Sequence, residues 1–586
     1  MVLLLAGCLT VLATSCGGSA ASLSAPLTLS LSSPFVTVLQ DGEPASVTVT
    51  IGRPKGDSNN VTLSLTGLPV GLAAQATSPG AGSAGQITFV SQSAVAGTYS
   101  ATVSASDGQR VATASLSVVV AILATVGASV NRALGANGVL DNFMATSFQP
   151  ASWSDQFFIN NPQAPTTLDA LHSQHIRIQA LEKDLPMTGP DSWDFTRLDG
   201  MVNPILSVAD HSPEFQIAVA PAWMDDSNGH LLPENFSAFA QYCANLVRYY
   251  NTGGFFSANG QHYQSSSPYP ITWWGIFNEP NINGLTADQY VQLYNLVAPA
   301  METVDPTIKL VAVELADFGS EPEKYLPTFV SQVNAPVDAV ATHFYSSCNQ
   351  KNTDQQIFNT IPHFVNDVKY IYSELATNPA LENVPVWVTE NNVNADYDKG
   401  GGISACNGTP FVLDPRGTDA FFAAWRPYVF SQLSLAGDHA LYHWDFNADA
   451  QFGEVNGTND QTYLSYWVDY WLERYFPTPP GSQILNLTTT ESSTVETLAT
   501  LRNDGAVVIM IADHAVHAAS DDNGSGDPRT VVVDLSAWGQ FSSATLVTLD
   551  ASTNPVTGPS ALSVTPAPRI TVTLNGYGVA FLTLSK

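Results

Sequence analysis

From about residue 122 to residue 476 the chain alternates short apolar runs with segments of helical periodicity, and the alternation repeats eight times. Parallel strands buried on both faces read as near-continuous apolar runs, and parallel neighbours need a long crossover, usually a helix. Eight such units are the sequence form of a closed (β/α)8 TIM barrel, an α/β fold. The predicted strands begin near Ile122, His175, Phe215, Ile271, Ile308, Val337, Val384 and Ala440. The helix after the fourth strand illustrates the pattern. Thr286 and Gln289 have capping-box spacing, and Tyr290, Leu293, Tyr294, Val297 and Met301 recur on one face.

The flanking segments lack that alternation. From Ala25 to Ala121, runs such as Ser46-Val47-Thr48-Val49-Thr50 have a period of two and no helical stretch interrupts them, which predicts an immunoglobulin-like β-sandwich. No aromatic platform is evident there, so a spacer is expected, with glycan binding as the alternative. Alternating strands return from Pro477 to Lys586, after the Thr478-Pro479-Pro480-Gly481 boundary, and predict a second β-sandwich. The expected organisation is a leader and linker over 1–24, sandwich over 25–121, barrel over 122–476 and sandwich over 477–586. Asp521 to Asp527 carries oxygen ligands at alternating positions but no closing Glu, so a mobile hairpin loop is expected there instead of a calcium site.

Residues 1–14 are nearly all apolar and lead into Ser15-Cys16-Gly17-Gly18, the form of an export signal. The run is shorter than the roughly 17 to 25 residues that span a bilayer. It resembles a bacterial lipoprotein signal with Cys16 as the acylated residue; simple secretion is the alternative. With 20 Lys and Arg against 51 Asp and Glu, a net charge of −31 repels phosphate backbones and anionic headgroups. Nucleic acid is therefore excluded as a partner, membrane association is expected only through a lipid anchor, and no protein partner is predicted. Cys243 falls on an apolar helix face and reads as a buried thiol. Cys348 and Cys406 follow two strands at one barrel end, where export permits a disulfide; two free loop thiols are the alternative.

Barrel enzymes carry their chemistry at the C-terminal ends of strands. Strand four, Ile271 to Phe277, ends in Asn278-Glu279-Pro280-Asn281, and strand seven, Val384 to Thr389, ends in Glu390-Asn391-Asn392. Two carboxylates facing each other across a barrel mouth are what glycoside hydrolysis with retention requires. One protonates the leaving oxygen and the other attacks the anomeric carbon, at a separation of about 5 to 5.5 Å. Strand six ends in His343-Phe344-Tyr345, where Tyr345 can donate to the nucleophile and His343 either contacts sugar or the acid, or packs in the core. Trp223, after strand three, is a candidate sugar contact. No Cys/His spacing suggests zinc and no phosphate loop or nucleotide fingerprint occurs, so neither metal nor cofactor is expected.

The Asn278-Glu279-Pro280 strand end, with Glu390 ending strand seven, resembles the clan A retaining glycoside hydrolases. Phe277-Asn278-Glu279-Pro280-Asn281 and Trp193-Asp194-Phe195-Thr196-Arg197-Leu198-Asp199 most resemble glycoside hydrolase family 39, the β-xylosidase and α-L-iduronidase group, with Phe277 where that family usually carries Trp. The resemblance implies a retaining glycosidase with Glu279 as acid/base, Glu390 as nucleophile and Asn278 on the sugar 2-hydroxyl. It also brings Arg177 towards the nucleophile, a structural ion pair being the alternative, and sets Trp444 under the reacting sugar, barrel filling being the alternative. An exported enzyme acting on poly- or oligosaccharides, with exo action favoured by the loop around Lys399-Gly400-Gly401-Gly402, is the expectation. A silent glycan-binding protein or a transglycosylase is the alternative.

Overall fold

The structure is a computed structural model and describes residues 25–149, 157–173, 175–211, 213–317, 320–349, 351–477 and 481–586. The expected leader and Cys16 lie outside the described residues. The chain divides into two compact units after Val120.

The first unit is a β-sandwich, as expected, built mainly from antiparallel pairs. One sheet runs Thr28–Leu31, Ala45–Gly52, Ala84–Ser91, Leu72–Thr77; the other pairs Thr62–Thr66 with Gly97–Ser106 and that strand with the first half of Val111–Val130. Alternation puts Val47, Val49 and Ile51 inside with Ile87, Phe89, Val103 and Val118, while Thr48 and Thr50 face outward.

In the second unit eight parallel strands close into a barrel: Phe143–Phe148, Ile176–Ala180, Glu214–Ile217, Trp273–Ile276, Lys309–Asp317, Ala339–Ser347, Val386–Asn394 and Ala440–His443. These are strands one to eight below. Seven of the eight begin within two residues of the predicted starts. The helix after strand four, Ala287–Glu302, has the full capping box at Thr286 and buries Tyr290, Leu293, Tyr294, Val297 and Met301.

The prediction near Ile122 is corrected. Ile122, Leu123 and Ala124 pair in parallel with Val531, Val532 and Val533, and Val126 pairs antiparallel with Leu487. They belong to the C-terminal sandwich, whose remaining strands run from Gln483–Thr489 to Gly578–Ser585. A doubly buried sandwich strand has the same continuous apolar signature as a barrel strand. Strand one instead begins at Phe143 and is less apolar, because its buried Thr146 and Ser147 sit in the polar upper barrel. The first compact unit ends at Val120 within the strand Val111–Val130, the barrel starts some twenty residues later than expected and the second sandwich draws on residues before it.

The loop Asp521 to Asp527 is not a free hairpin. The amides of Asn523 and Gly524 both donate to the buried carboxylate of Asp354, each at 2.8 Å, and Tyr577 Oη and Arg416 Nη1 donate to the same carboxylate at 3.0 and 3.2 Å. The loop presents backbone donors inward, the reverse of what a cation site needs, and so clamps the sandwich to the barrel.

Candidate active site

Strand four ends in a backbone that leaves the sheet abruptly. Phe277 and Glu279 take positive φ values of 68° and 45°, a left-handed conformation unusual for residues with a Cβ. The amides of Phe277 and Asn278 still donate across to strand three, to the carbonyls of Ile217 and Ala218, and the Glu279 amide turns to the Glu314 carbonyl on strand five. From below, the buried Tyr290 hydroxyl donates to Ile276 O at 3.1 Å and accepts from Val313 N at 2.7 Å. The strain aims Glu279 over the barrel mouth, where it is partly exposed, while Glu390 arrives from strand seven almost fully buried.

His343, on strand six, lies between them. Its Nδ1 is 2.9 Å from Glu279 Oε1 and 3.5 Å from Glu390 Oε2, and this nitrogen and one oxygen from each carboxylate all lie within 4.8 Å of one another. Burial works against a charge on the ring, yet the Glu390 charge, the hydrogen bond to Glu279 and the nearby Glu314 carboxylate push its pKa up to about 9. The imidazole is thus a cation at neutral pH, bonded to one carboxylate and facing a second.

Glu390 is held from three other sides. Arg177 Nη1 donates to Oε1 at 2.9 Å, Gln179 Nε2 to the same oxygen at 3.1 Å, and Tyr345 Oη to Oε2 at 2.9 Å. Arg177 Nη2 also donates to Asn278 Oδ1 at 2.8 Å, which leaves the Asn278 amide nitrogen as a donor. Burial opposes the charge on Arg177 too, but the carboxylates of Glu314, Glu390 and Glu214 keep it protonated. Burial raises the Tyr345 phenol well above its ordinary range, and the Glu390 charge adds to this, so it remains a donor.

Trp444 follows strand eight through a cis peptide to Asp445; its indole Nε1 donates to Gln179 Oε1 at 3.2 Å, and its ring stands edge-on to Tyr345 with centroids 6.4 Å apart. Of the residues picked out in the sequence, Glu279, Glu390, Asn278, Arg177, His343, Tyr345 and Trp444 thus converge. Trp223 does not join them. It sits in the one-turn helix Ala222–Met224, packs on the hydrophobic core, and among the described residues no hydrogen bond or ring contact links it to the cluster. Cys348 and Cys406 form a disulfide with Cα atoms 5.6 Å apart, tying the end of strand six to the loop after strand seven, and Cys243 is a buried thiol.

Four polar residues below the cluster were missed. Gln179 bridges Glu390 and Trp444. Glu314 accepts from Arg177 Nη2 at 2.7 Å and from Gln216 Nε2, and Glu214 lies 3.8 Å from Arg177 Nε. Burial, reinforced by the Glu314 charge, pushes the pKa of Glu214 up to about 8, whereas Arg177 overcomes burial and keeps the pKa of Glu314 below the usual carboxylate value. A signal for Glu314 existed: it is an acid inside the apolar run Leu310 to Ala316.

Residues 246–407 match the family model described as glycosyl hydrolase catalytic core. The intracellular exo-alpha-(1->5)-L-arabinofuranosidase 1 of Bacillus subtilis (strain 168) is 27% identical over 173 residues, 26% of this chain and 33% of that protein. The chain therefore matches only about a third of the length of that relative. A monomeric beta-xylosidase from Caulobacter crescentus CB15 superposes with a TM-score of 0.53 at 15% identity, covering 79% of this chain and 99% of the other. A GH39 enzyme from Xanthomonas axonopodis pv. citri gives 0.53 at 14% identity, covering 79% and 97%. At such identities the likeness is one of fold. The matched segment contains Glu279, Glu314, His343, Tyr345 and Glu390, and so residues 246–407 are similar to a glycosyl hydrolase catalytic core, set in a barrel whose fold is like those of the two solved glycosidases.

Proposed function

We propose that the protein is a retaining glycosidase working by double displacement. The observation that carries this reading is the Glu279 and Glu390 pair on either side of His343, with carboxylate oxygens within 4.8 Å of each other. Inverting enzymes leave room for a water between carboxyl groups about 6.5 to 9.5 Å apart, and the approach here favours direct attack by one of them.

In this reading Glu390 attacks the anomeric carbon, Arg177, Gln179 and Tyr345 orienting its oxygens. Glu279, at the more open side, protonates the leaving oxygen and then deprotonates the water that releases the glycosyl group. Asn278, its oxygen held by Arg177, turns its amide nitrogen to a sugar hydroxyl, and Trp444 supplies an apolar floor. The disulfide-tied loop after strand seven, with Asp398 accepting from the amides of Gly400, Gly402 and Ile403, supports a walled pocket and exo action. The leader-like N-terminus and the disulfide favour an exported enzyme, anchored through Cys16 or secreted, acting on poly- or oligosaccharides.

Because the relatives' names include a β-xylosidase and an α-L-arabinofuranosidase, aryl pentosides head the test, followed by aryl hexosides and uronides. Glu390→Ala is expected to lose more than about 10³-fold in turnover, and azide to restore it as a glycosyl azide of inverted configuration. With Glu279→Ala, azide gives the retained configuration. Full activity in either variant, or a wild type that binds glycans and cleaves none, overturns the proposal.

A further inference from the structure

We infer that Glu314 is a positioning residue of this site: its carboxylate holds the Arg177 guanidinium and the His343 ring in the orientations that turn them to Glu390 and Glu279. The inference rests on the reading of the site above and extends it to a residue that does not touch substrate.

The chain makes room for this carboxylate at some expense. Val313 and Glu314 adopt φ values of 80° and 41°, and the pairing of strand five with strand six shifts register between Ala312 and Leu315. The bulge breaks the alternation of the strand and turns Glu314 into the barrel. On strand four, Gly275 leaves the space it fills, since a Cβ there would collide with Glu314 Oε1. Two neighbouring strands are thus fitted to one acid, although an ionised carboxylate buried at 0% exposure is unfavourable unless fully paired.

Its partners show what the acid does there. Oε2 accepts from Arg177 Nε at 3.2 Å and Nη2 at 2.7 Å, and from Thr389 Oγ1 at 3.4 Å; Oε1 accepts from Gln216 Nε2. Two-point binding fixes the guanidinium plane, so that Nη1 faces Glu390 and Nη2 reaches Asn278. His343 Nε2 lies 3.8 Å from Glu314 Oε2, and its other nitrogen faces Glu279 and Glu390. One carboxylate therefore sits behind both cations, and each cation presents its other side to the reacting pair.

The neighbouring acid does not reproduce its contacts. Glu214, on strand three, lies 3.8 Å from Arg177 Nε, whereas Glu314 meets Nη2 at 2.7 Å and also holds Thr389 and Gln216. Arg177 thus has Glu314 beneath it and Glu390 above. Without the lower one, Arg177 is free to move onto Glu390 alone, and His343 loses one of the three carboxylates facing it, the others being Glu279 and Glu390.

The test uses the full chain, labelled with ¹⁵N-histidine, with the His343 ring nitrogens followed against pH beside aryl glycoside kinetics. In wild type the ring is expected to be doubly protonated through pH 8. In Glu314→Gln its titration midpoint falls by at least about one pH unit and kcat falls by at least about 30-fold, with KM changed less than about threefold. Gly275→Ala, which keeps every charge but displaces the carboxylate, lowers kcat in the same sense. A folded Glu314→Gln protein with an unmoved His343 midpoint and kcat within twofold of wild type overturns the inference. If Glu314→Gln does not fold, an unchanged kcat in Gly275→Ala does so. The ring titration needs no turnover, so a wild type inactive on every glycoside, yet with the shifted midpoint, would remove the glycosidase reading and leave the role of Glu314 standing.

Discussion

The N-terminal sandwich and the barrel bury their interiors by opposite rules. Among the described residues up to Val120, Ser91 is the one polar residue buried as a whole, the Asp107 carboxylate being covered by its pairing with Arg110, and the hydrophobic core is aliphatic apart from Phe89. The barrel buries Arg177, Glu214, Glu314, His343 and Glu390 together. An apolar core gains stability with each area it removes from water. A charged one costs stability unless every member is paired, and is kept for what the charges do.

That contrast can be broken at several points. The largest effect is expected from Arg177→Met, which leaves Glu314 and Glu390 buried without their cation. Loss of about 3 to 5 kcal/mol of stability should accompany a fall in turnover of more than about 10³-fold, measured by denaturant unfolding and aryl glycoside kinetics. Turnover above a tenth of wild type would mean that the barrel charges do not act as a unit. Phe89→Ala makes the opposite demand. It should cost the sandwich about 3 to 5 kcal/mol, seen as a lower unfolding midpoint and faster proteolysis of residues 25–120, with kcat within twofold of wild type.

A smaller effect is expected where the barrel's hydrogen bonds meet its backbone. Tyr290→Phe leaves Ile276 O and Val313 N without their shared hydroxyl, at about 1 to 3 kcal/mol. Because the ends of strands four and five carry Glu279 and Glu314, kcat should fall roughly tenfold; an unchanged kcat would uncouple the strand ends from the site. The smallest effect on turnover comes from a group away from the site, which changes only the slope of stability against pH. Burial pushes the pKa of Glu496 up to about 7, from an ordinary 4.5, against the hydrogen bonds from Ser431 and Gln432. With the folded value raised, its contribution is fully present below about pH 4.5 and lost as pH rises through about 7. Glu496→Gln should remove that part of the decline in unfolding free energy with pH, at most about 3 kcal/mol, and a slope identical to wild type would show that the group titrates normally.

What could be read from the sequence follows the same division. Period-two and helical patterns are repetitive, so the first sandwich, the closed barrel and the placing of Glu279 and Glu390 at its mouth were legible, although strand seven runs on through Glu390 to Asn394 instead of ending at Thr389. Glu314 was legible only as an acid inside an apolar run, because its direction depends on a left-handed bulge at Val313 and Glu314 that no glycine announces. Trp223 follows a correctly predicted strand but sits in a one-turn helix against the hydrophobic core, and among the described residues no hydrogen bond or ring contact joins it to the Glu279 and Glu390 cluster. The strand at Ile122 was misassigned because a run buried on both faces does not tell which layers cover it. The loop at Asp521 needed knowledge of Asp354, distant in sequence and buried among its partners.

That misassigned strand also fixes an order of events. Leu123 N donates to Thr490 Oγ1 at 3.0 Å across 367 residues of sequence, because the whole barrel is inserted between one strand of the C-terminal sandwich and the others. At about 5 to 20 residues per second of synthesis, the early strand waits roughly 20 to 70 s for its neighbours. During that time Ile122, Leu123 and Val126 have no partner strands, and an unpaired apolar edge is a template for another chain. Barrel closure ends the wait by bringing Phe143 and the last barrel helix, Leu464–Tyr475, into one body, after which the late strands can add. A chain stopped after residue 476 would hold all eight barrel strands and still expose this one, so it should aggregate before it loses its chemistry.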